Sequence, residues 1–400
     1  MKQLLFVALS LISLAQSFAQ LSASASPLWL RSPAISPDGT AIVFTYQGDL
    51  WRVPAIGGRA LLLTTHEAMD SDPVWSHDGK WIAFSSNRYG NKDVFIMPSD
   101  GGLATRLTFH SSDDTPTDLT PDDSGVIFYS NRLDAVSNQL FPIGGMGELY
   151  SVPVSGGRAT QITTMPAQRA KYDPSGTKLV YHDLKGYEDE MRKHHTSSVT
   201  RDIWTYDLAN KEYTKLSTYE GEDIDPVWSA DGSSIFYLSE DPLGPVESRT
   251  SFNVYKVAAT GGTPQRISNL KDHPVRSLSI SKVGILCFSY DGELYTLKEG
   301  EKPAKIDVNV ATDGRYNPAR TITVNGKVSE LEVSPSGKEV VYISRGEVFV
   351  SSVAEGTTRR ITNTPEQERS VSFSPDGRGI LFASERNGSW DLYTVALTRK

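Results

Sequence analysis

The chain is almost devoid of cysteine: among its 400 residues there is one, Cys287. No intrachain disulfide can form, and a lone cysteine within the apolar stretch ILCFSY reads as a small buried hydrophobe. Basic runs are missing too. With 40 Lys and Arg against 48 Asp and Glu the formal net charge is -8, and without clustered cations to neutralise phosphates nucleic-acid binding is disfavoured. Outside the leader no long stretch shows the helical period of about 3.6 residues, which excludes stacked helical repeats. Several catalytic signatures are absent as well. There is no G-x-S-x-G elbow of the kind that accompanies an α/β-hydrolase. His66-Glu67 begins a zincin-like pattern, but Asp70 stands where the second histidine is required. S-x-x-K occurs at Ser175 to Lys178 and at Ser279 to Lys282, both in expected strand or turn segments and without the accompanying penicillin-binding motifs. The residues therefore name no catalytic group, no cofactor and no metal ligand.

What is present first is a leader. MKQLLFVALSLISLAQSFAQ combines Lys2, an apolar region from Leu4 to about Ala15 and a small-x-small site at Ser17-Phe18-Ala19. We read residues 1–19 as a cleavable signal peptide, too short for a comfortable membrane span, and expect export to a bacterial periplasm. No cysteine follows the cleavage site, so a lipid anchor is not expected there.

What dominates the remainder is a repeat. A Ser-Pro-Asp-Gly type turn recurs at Ser36 to Gly39, Ser76 to Lys80, Ser229 to Gly232, Ser334 to Lys338 and Ser374 to Gly377, with degenerate copies at Thr120 to Gly125, Asp173 to Gly176 and Ser281 to Gly284. Gly39 and Gly79 are 40 residues apart, as are Gly337 and Gly377. After each turn comes a run such as AIVFTY, WIAFSS or SIFYLS, rich in the β-branched and aromatic residues that pack well on a pleated sheet. A second strand of the form acid, aliphatic, aromatic follows, as in DLWRV, DVFIM and ELYSV, often ending in a Gly-Gly turn before a short closing strand. Each unit thus supplies four antiparallel strands, and stacked units of this period are propeller blades. The sixth copy lacks Asp-Gly in its turn and runs into a polar stretch from Glu299 to Arg320. We therefore expect an all-β chain: a six-bladed β-propeller over 26–317, followed over 318–400 by the first two blades of a second, unfinished propeller, with a single eight-bladed ring as the alternative.

Longer strings carry a family likeness. PLWLRSPAISPDG from Pro27, SNRYGNKDVFIMPSDGG from Ser86, RLTFHS from Arg106, MRKHHTSSVTRDIWTYD from Met191 and, in order after it, GEDIDPVWSADG, HPVRSLS and RGEVFVSSV resemble the N-terminal region of bacterial tricorn-like serine peptidases. The resemblance covers Leu28 to Lys400. It implies a six-bladed and then a seven-bladed propeller, followed in the parent by a PDZ domain and a core like that of the C-terminal processing peptidases, where the catalytic residues lie. It also implies peptides as passing substrates, the parent's own peptidase domains as partners, and assemblies of several subunits. No catalytic residue transfers to any position in this sequence.

Two surfaces invite a partner. The insertion KGYEDEMRKHHTSSVTR places His194, His195, Ser197 and Arg201 together as a candidate peptide or partner contact, with a structural clasp as the competing reading; adjacent histidines on an extended segment point to opposite sides, which disfavours a shared metal. The insertions near 133–146, 185–201 and 241–251 all fall between second and third strands, so they emerge on one face of the disc. A recurrent arginine is expected to pair with the acid opening the third strand, as Arg88 with Asp93, Arg132 with Glu148 and Arg386 with Asp391. Function then stands between the substrate-guiding propeller of a periplasmic peptidase, a TolB-like binding propeller without enzymatic activity, and a self-contained hydrolase built on the histidine loop. TolB-like proteins usually carry a small α/β domain first, whereas here the first blade follows the leader almost directly.

Overall fold

The computed structural model describes residues 27–132, 146–186, 196–240, 251–311 and 326–398. All regular structure there is β, arranged in eight sheets. The chain divides into two compact units, Met1–Ala311 and Thr312–Lys400.

The first unit holds six sheets, each built by consecutive strands in meander order. In the second sheet these are Asp70–Trp75, Trp81–Ser86, Asp93–Pro98 and Thr105–Arg106, all antiparallel. The first strand of each sheet packs against the first strand of the next, and Arg276–Ile280 of the sixth packs against Arg31–Ile35 of the first, so the ring closes. Closure has a second element, which the sequence reading placed in a polar connection. Val308–Val310 adds to the first sheet as a fifth strand, parallel to Gly58–Leu62, and so covers an edge that would otherwise be unpaired.

Between every two neighbouring sheets lies one apolar core. Val43 and Leu50 of the first sheet meet Ile82 and Phe84 of the second, Val94 meets Phe128, Leu149 meets Tyr181, Val180 meets Tyr237, and Phe236 meets Phe288. Phe44 and Trp51 complete the circuit against Cys287 and Leu294 of the sixth sheet. Phe44, Phe84, Phe128 and Phe288 have no exposed surface, and burying one such side chain is worth about 2–3 kcal/mol. The driving force is therefore shared around the ring rather than collected in one centre.

The Ser-Pro-Asp-Gly turns form as their residues predict. The Ser76 hydroxyl donates to Asp78 Oδ1 at 2.7 Å, the Lys80 amide donates to the same oxygen at 2.9 Å, and Ser76 Oγ accepts from the Trp81 amide at 2.9 Å. Hydrogen bonds from Lys80 and Ser76 hold the Asp78 carboxyl down at about 2. Asp231, with donors from Ser229 and Ser233, is likewise held at about 2.

The recurrent arginine corrects the expectation. Arg88 pairs with Asp70 at 2.8 Å, Arg132 with Asp114 at 2.6 Å and Arg386 with Glu368 at 3.0 Å, so in each case the partner opens the first strand of the sheet, not the third. Register explains it. Asp70, Ser86 and Asp93 lie in one cross-strand row, and the chain leaving Ser86 carries Arg88 back over the first-strand side while Arg106 takes Asp93 at 2.7 Å. The guanidinium also sits over an aromatic pair: Arg88 is 5.1 Å from the ring of Phe95, and Arg132 is 4.9 Å from that of Phe128.

The second unit contains one four-stranded and one three-stranded sheet. Val341, Ile343, Val348 and Val350 of one pack against Val371, Phe373, Ile380 and Phe382 of the other.

Candidate functional site

The first strands of the six sheets in the first unit face a common axis and enclose a cavity of about 440 Å³. Being inner edge strands, they tolerate proline, whose missing N–H costs nothing where no further strand pairs: Pro33, Pro73, Pro116 and Pro226 all line the cavity.

Every one of these six strands carries a β-bulge. In five of them the bulge contains a left-handed residue that is not glycine: Ser32, Asp72, Arg169, Asp225 and Ser277, with φ between 47° and 57°. The bulges re-aim these side chains at one level of the axis. At the other end of the strands the second residues of the turns, Pro37, His77, Pro121, Pro174, Ala230 and Lys282, line the mouth. The turns interlock there. Asp123 of the third sheet accepts the main-chain amides of His77 and Asp78 at 2.7 and 2.9 Å and lies 3.1 Å from His77 Nδ1. Neighbouring inner strands are further sewn by indoles: Trp75 Nε1 donates to the Ala34 carbonyl at 2.9 Å and Trp228 Nε1 to that of Lys171 at 3.1 Å.

The bulge level is charged. Arg169 Nη1 is 3.6 Å from Asp72 Oδ1, and Arg169 Nε is 3.6 Å from Asp225 Oδ1. Burial pushes the Asp72 carboxyl up, but Arg169, Lys92 and the hydroxyls of Ser71 and Ser32 outweigh it and hold it below its ordinary value. One layer on, Lys171 Nζ donates to the Thr117 carbonyl and lies 3.9 Å from Asp118 Oδ1, whose other oxygen accepts the Tyr172 amide at 2.9 Å. Desolvation pulls the Lys171 ammonium below its usual range. Behind the bulges His182 is buried; its Nδ1 accepts the Asp225 amide at 3.1 Å, so its proton sits on Nε2, 3.2 Å from Gln168 Oε1. Burial first, then the positive charges of Arg201 and Arg169, depress its pKa well below the ordinary value.

Of the residues singled out from sequence, His194 and His195 lie outside the described residues. Ser197 is exposed, and its hydroxyl accepts the Val199 amide at 3.2 Å. Arg201 is buried, with Nε donating to Glu222 Oε2 at 2.7 Å. The three inter-strand insertions fall largely outside the described residues. Sequence reasoning missed Asp72, Asp118, Arg169, Lys171 and Asp225. A signal existed: DSDPVW at Asp70 to Trp75 and DIDPVW at Asp223 to Trp228 repeat an acid before an edge-strand proline. Among the described residues no group of three or more His, Cys, Asp or Glu could hold a metal ion.

Comparison with known proteins agrees with this architecture. The chain is 23% identical over 216 residues to the "Uncharacterized peptidase YuxL" of Bacillus subtilis (strain 168), covering 54% of this chain and 29% of that protein. It is 35% identical over 72 residues, 18% of its length, to "Tricorn protease homolog 1" of Streptomyces coelicolor, of which it covers 7%. It thus spans less than a third of either curated relative. The crystal structure of the tricorn protease superposes with a TM-score of 0.59 at 17% identity over 93% of this chain and 44% of that one, a likeness of fold. A family model described as the tricorn protease N-terminal beta propeller domain matches residues 27–303, more than two thirds of the chain. The chain belongs to the tricorn protease N-terminal β-propeller family.

Proposed function

We propose that the six-sheet ring is the peptide-guiding module of a periplasmic tricorn-like serine peptidase whose catalytic residues lie outside this sequence. The observation that supports it most directly is the axial cavity, walled by the inner strands and charged at one level, in a chain of a peptidase-associated family. Extended peptides suit such a wall, since carboxylates, cations and unpaired strand edges offer contacts to any backbone. The leader sequence supports export.

The test uses the parent peptidase with Ala230→Cys, a position at the cavity mouth. Cys287 is wholly buried, so once any cysteine of the parent outside these residues is replaced by serine, a bulky maleimide polymer attaches at residue 230 alone. Hydrolysis of long peptides is expected to fall on modification, while a small chromogenic substrate keeps its rate. Unchanged rates for both would overturn the guiding role.

A further inference from the structure

The charged level of the cavity is bridged by a side chain of the protein itself. Asp72 belongs to the second sheet and Asp225 to the fifth, which stand opposite each other in the closed succession of six. Arg169 of the fourth sheet reaches both, at 3.6 Å each, and so spans the axis. Neither separation is a hydrogen bond, and the side chain keeps 41% of its surface exposed. Both contacts are charge proximity without directional bonds.

The two carboxylates do not depend on Arg169 for their positions. Asp72 accepts from Ser71 Oγ at 3.0 Å and from Ser32 Oγ at 3.5 Å, with Lys92 Nζ at 3.7 Å. Asp225 accepts the Ser277 amide at 3.1 Å and is tied through its own amide to His182. They are preset at opposite walls, each anchored by groups other than Arg169.

Resting on the guiding role proposed above, we propose that Arg169 is a latch occupying a cation site, which the ammonium or guanidinium group of a passing peptide displaces. The ligand is a peptide bearing a free amino terminus or a lysine or arginine side chain. On its arrival Arg169 swings from the axis, the incoming cation takes the Asp72 and Asp225 carboxylates, and the throat opens for that class of peptide. Peptides lacking a cation meet the latch closed.

The experiment is calorimetric titration of the whole chain with four short Gly/Ser peptide amides: N-acetylated with a central arginine, unblocked without a basic side chain, N-acetylated and neutral, and N-acetylated with a central glutamate. The first two are expected to bind at least about tenfold more tightly than the last two. Preference for the first alone identifies side chains as the source of the cation, and preference for the second alone identifies the amino terminus. Arg169→Gly suits the 53° φ of this position, so the fold is retained, and it tightens binding of the cationic peptides several-fold by removing the competitor. Arg169→Asn, which also tolerates a left-handed backbone, serves if the glycine variant melts early. Asp72→Asn and Asp225→Asn each erase the preference. Equal affinity for all four peptides, or unchanged affinity in both Arg169 variants, overturns the latch while leaving the guiding role standing. Binding of none of them overturns both.

Discussion

Arg132 Nη2 lies 2.6 Å from Asp114 Oδ2, and the carboxylate side chain it meets is wholly buried. The same guanidinium stacks over Phe128 and Tyr150, which face each other across the second and third strands of the sheet. One residue thus binds three strands of a sheet together, and Arg88 and Arg386 repeat the arrangement.

Breaking this pair from one side leaves a buried charge. Arg132→Ala is expected to cost about 3–5 kcal/mol in urea unfolding, and the double change Arg132→Ala with Asp114→Ala far less than the sum of the singles. Additive losses would show that the two side chains do not act as a unit.

Turn interlocking predicts a contrast between two glycines. A Cβ on Gly176 would stand 2.6 Å from Pro121 Cγ of the preceding sheet, at φ 72°, whereas one on Gly284, at φ 79°, meets nothing within 4 Å. Gly284→Ala should cost only the backbone strain, about 1–2 kcal/mol. Gly176→Ala should cost about 1–3 kcal/mol more, from overpacking at the mouth. Equal losses in thermal melts would show that the turns do not press on one another.

The buried His182 gives the acid limb of the stability profile a defined sign. Its folded-state pKa lies below the ordinary 6.5, so as pH falls through that value the unfolded chain takes up a proton that the folded chain refuses. Stability is therefore lost below about pH 6.5, with a limiting slope of about 1.4 kcal/mol per pH unit from this group. His182→Gln should flatten that limb by the same amount. An unchanged profile would mean that His182 titrates alike in both states.

Asp223 has the opposite sign. It lies at the place in the fifth sheet that Asp70 and Asp114 hold in theirs, but two residues past Ser239 the sequence has Asp241 in place of arginine. Burial, together with the like charges of Asp202 and Glu222, raises its pKa well above 3.8, against the lowering influence of Ser239 and Ser217. The folded state then binds the extra proton, and stability falls as pH rises from about 3.8 upward. Asp223→Asn should raise the melting temperature at neutral pH and leave it little changed in acid; a lower value at neutral pH would refute the assignment.

Cys287 supplies a clean unfolding probe. It is wholly buried, and burial pushes its thiol up to about 12. A thiol reagent at pH 8 should leave the native chain unmodified and react fully in denaturant. Rapid native reaction would place the sixth sheet in frequent local opening.

The sequence by itself determined the blade. Its strands follow from β-branched and aromatic runs, its turns from serine and aspartate placed to accept and donate within a few residues, and its recurrence from the repeat of those local patterns. Arg88 shows where that reach ends. Asp70 and Asp93 flank Ser86 on opposite sides of one cross-strand row, and nothing within a few residues of Arg88 says which it will meet. The throat is more remote still. Asp72, Arg169 and Asp225 are separated by roughly half the length of the unit, and although Asp72 and Asp225 share an acid-before-proline pattern, nothing in it names Arg169 as their partner. Only closure of the ring, by apolar cores between every pair of neighbours and the parallel strand Val308–Val310, brings their charges to one level of one axis. Local propensity acts over a handful of residues, whereas a charge cluster on an axis exists only after six independent sheets have packed.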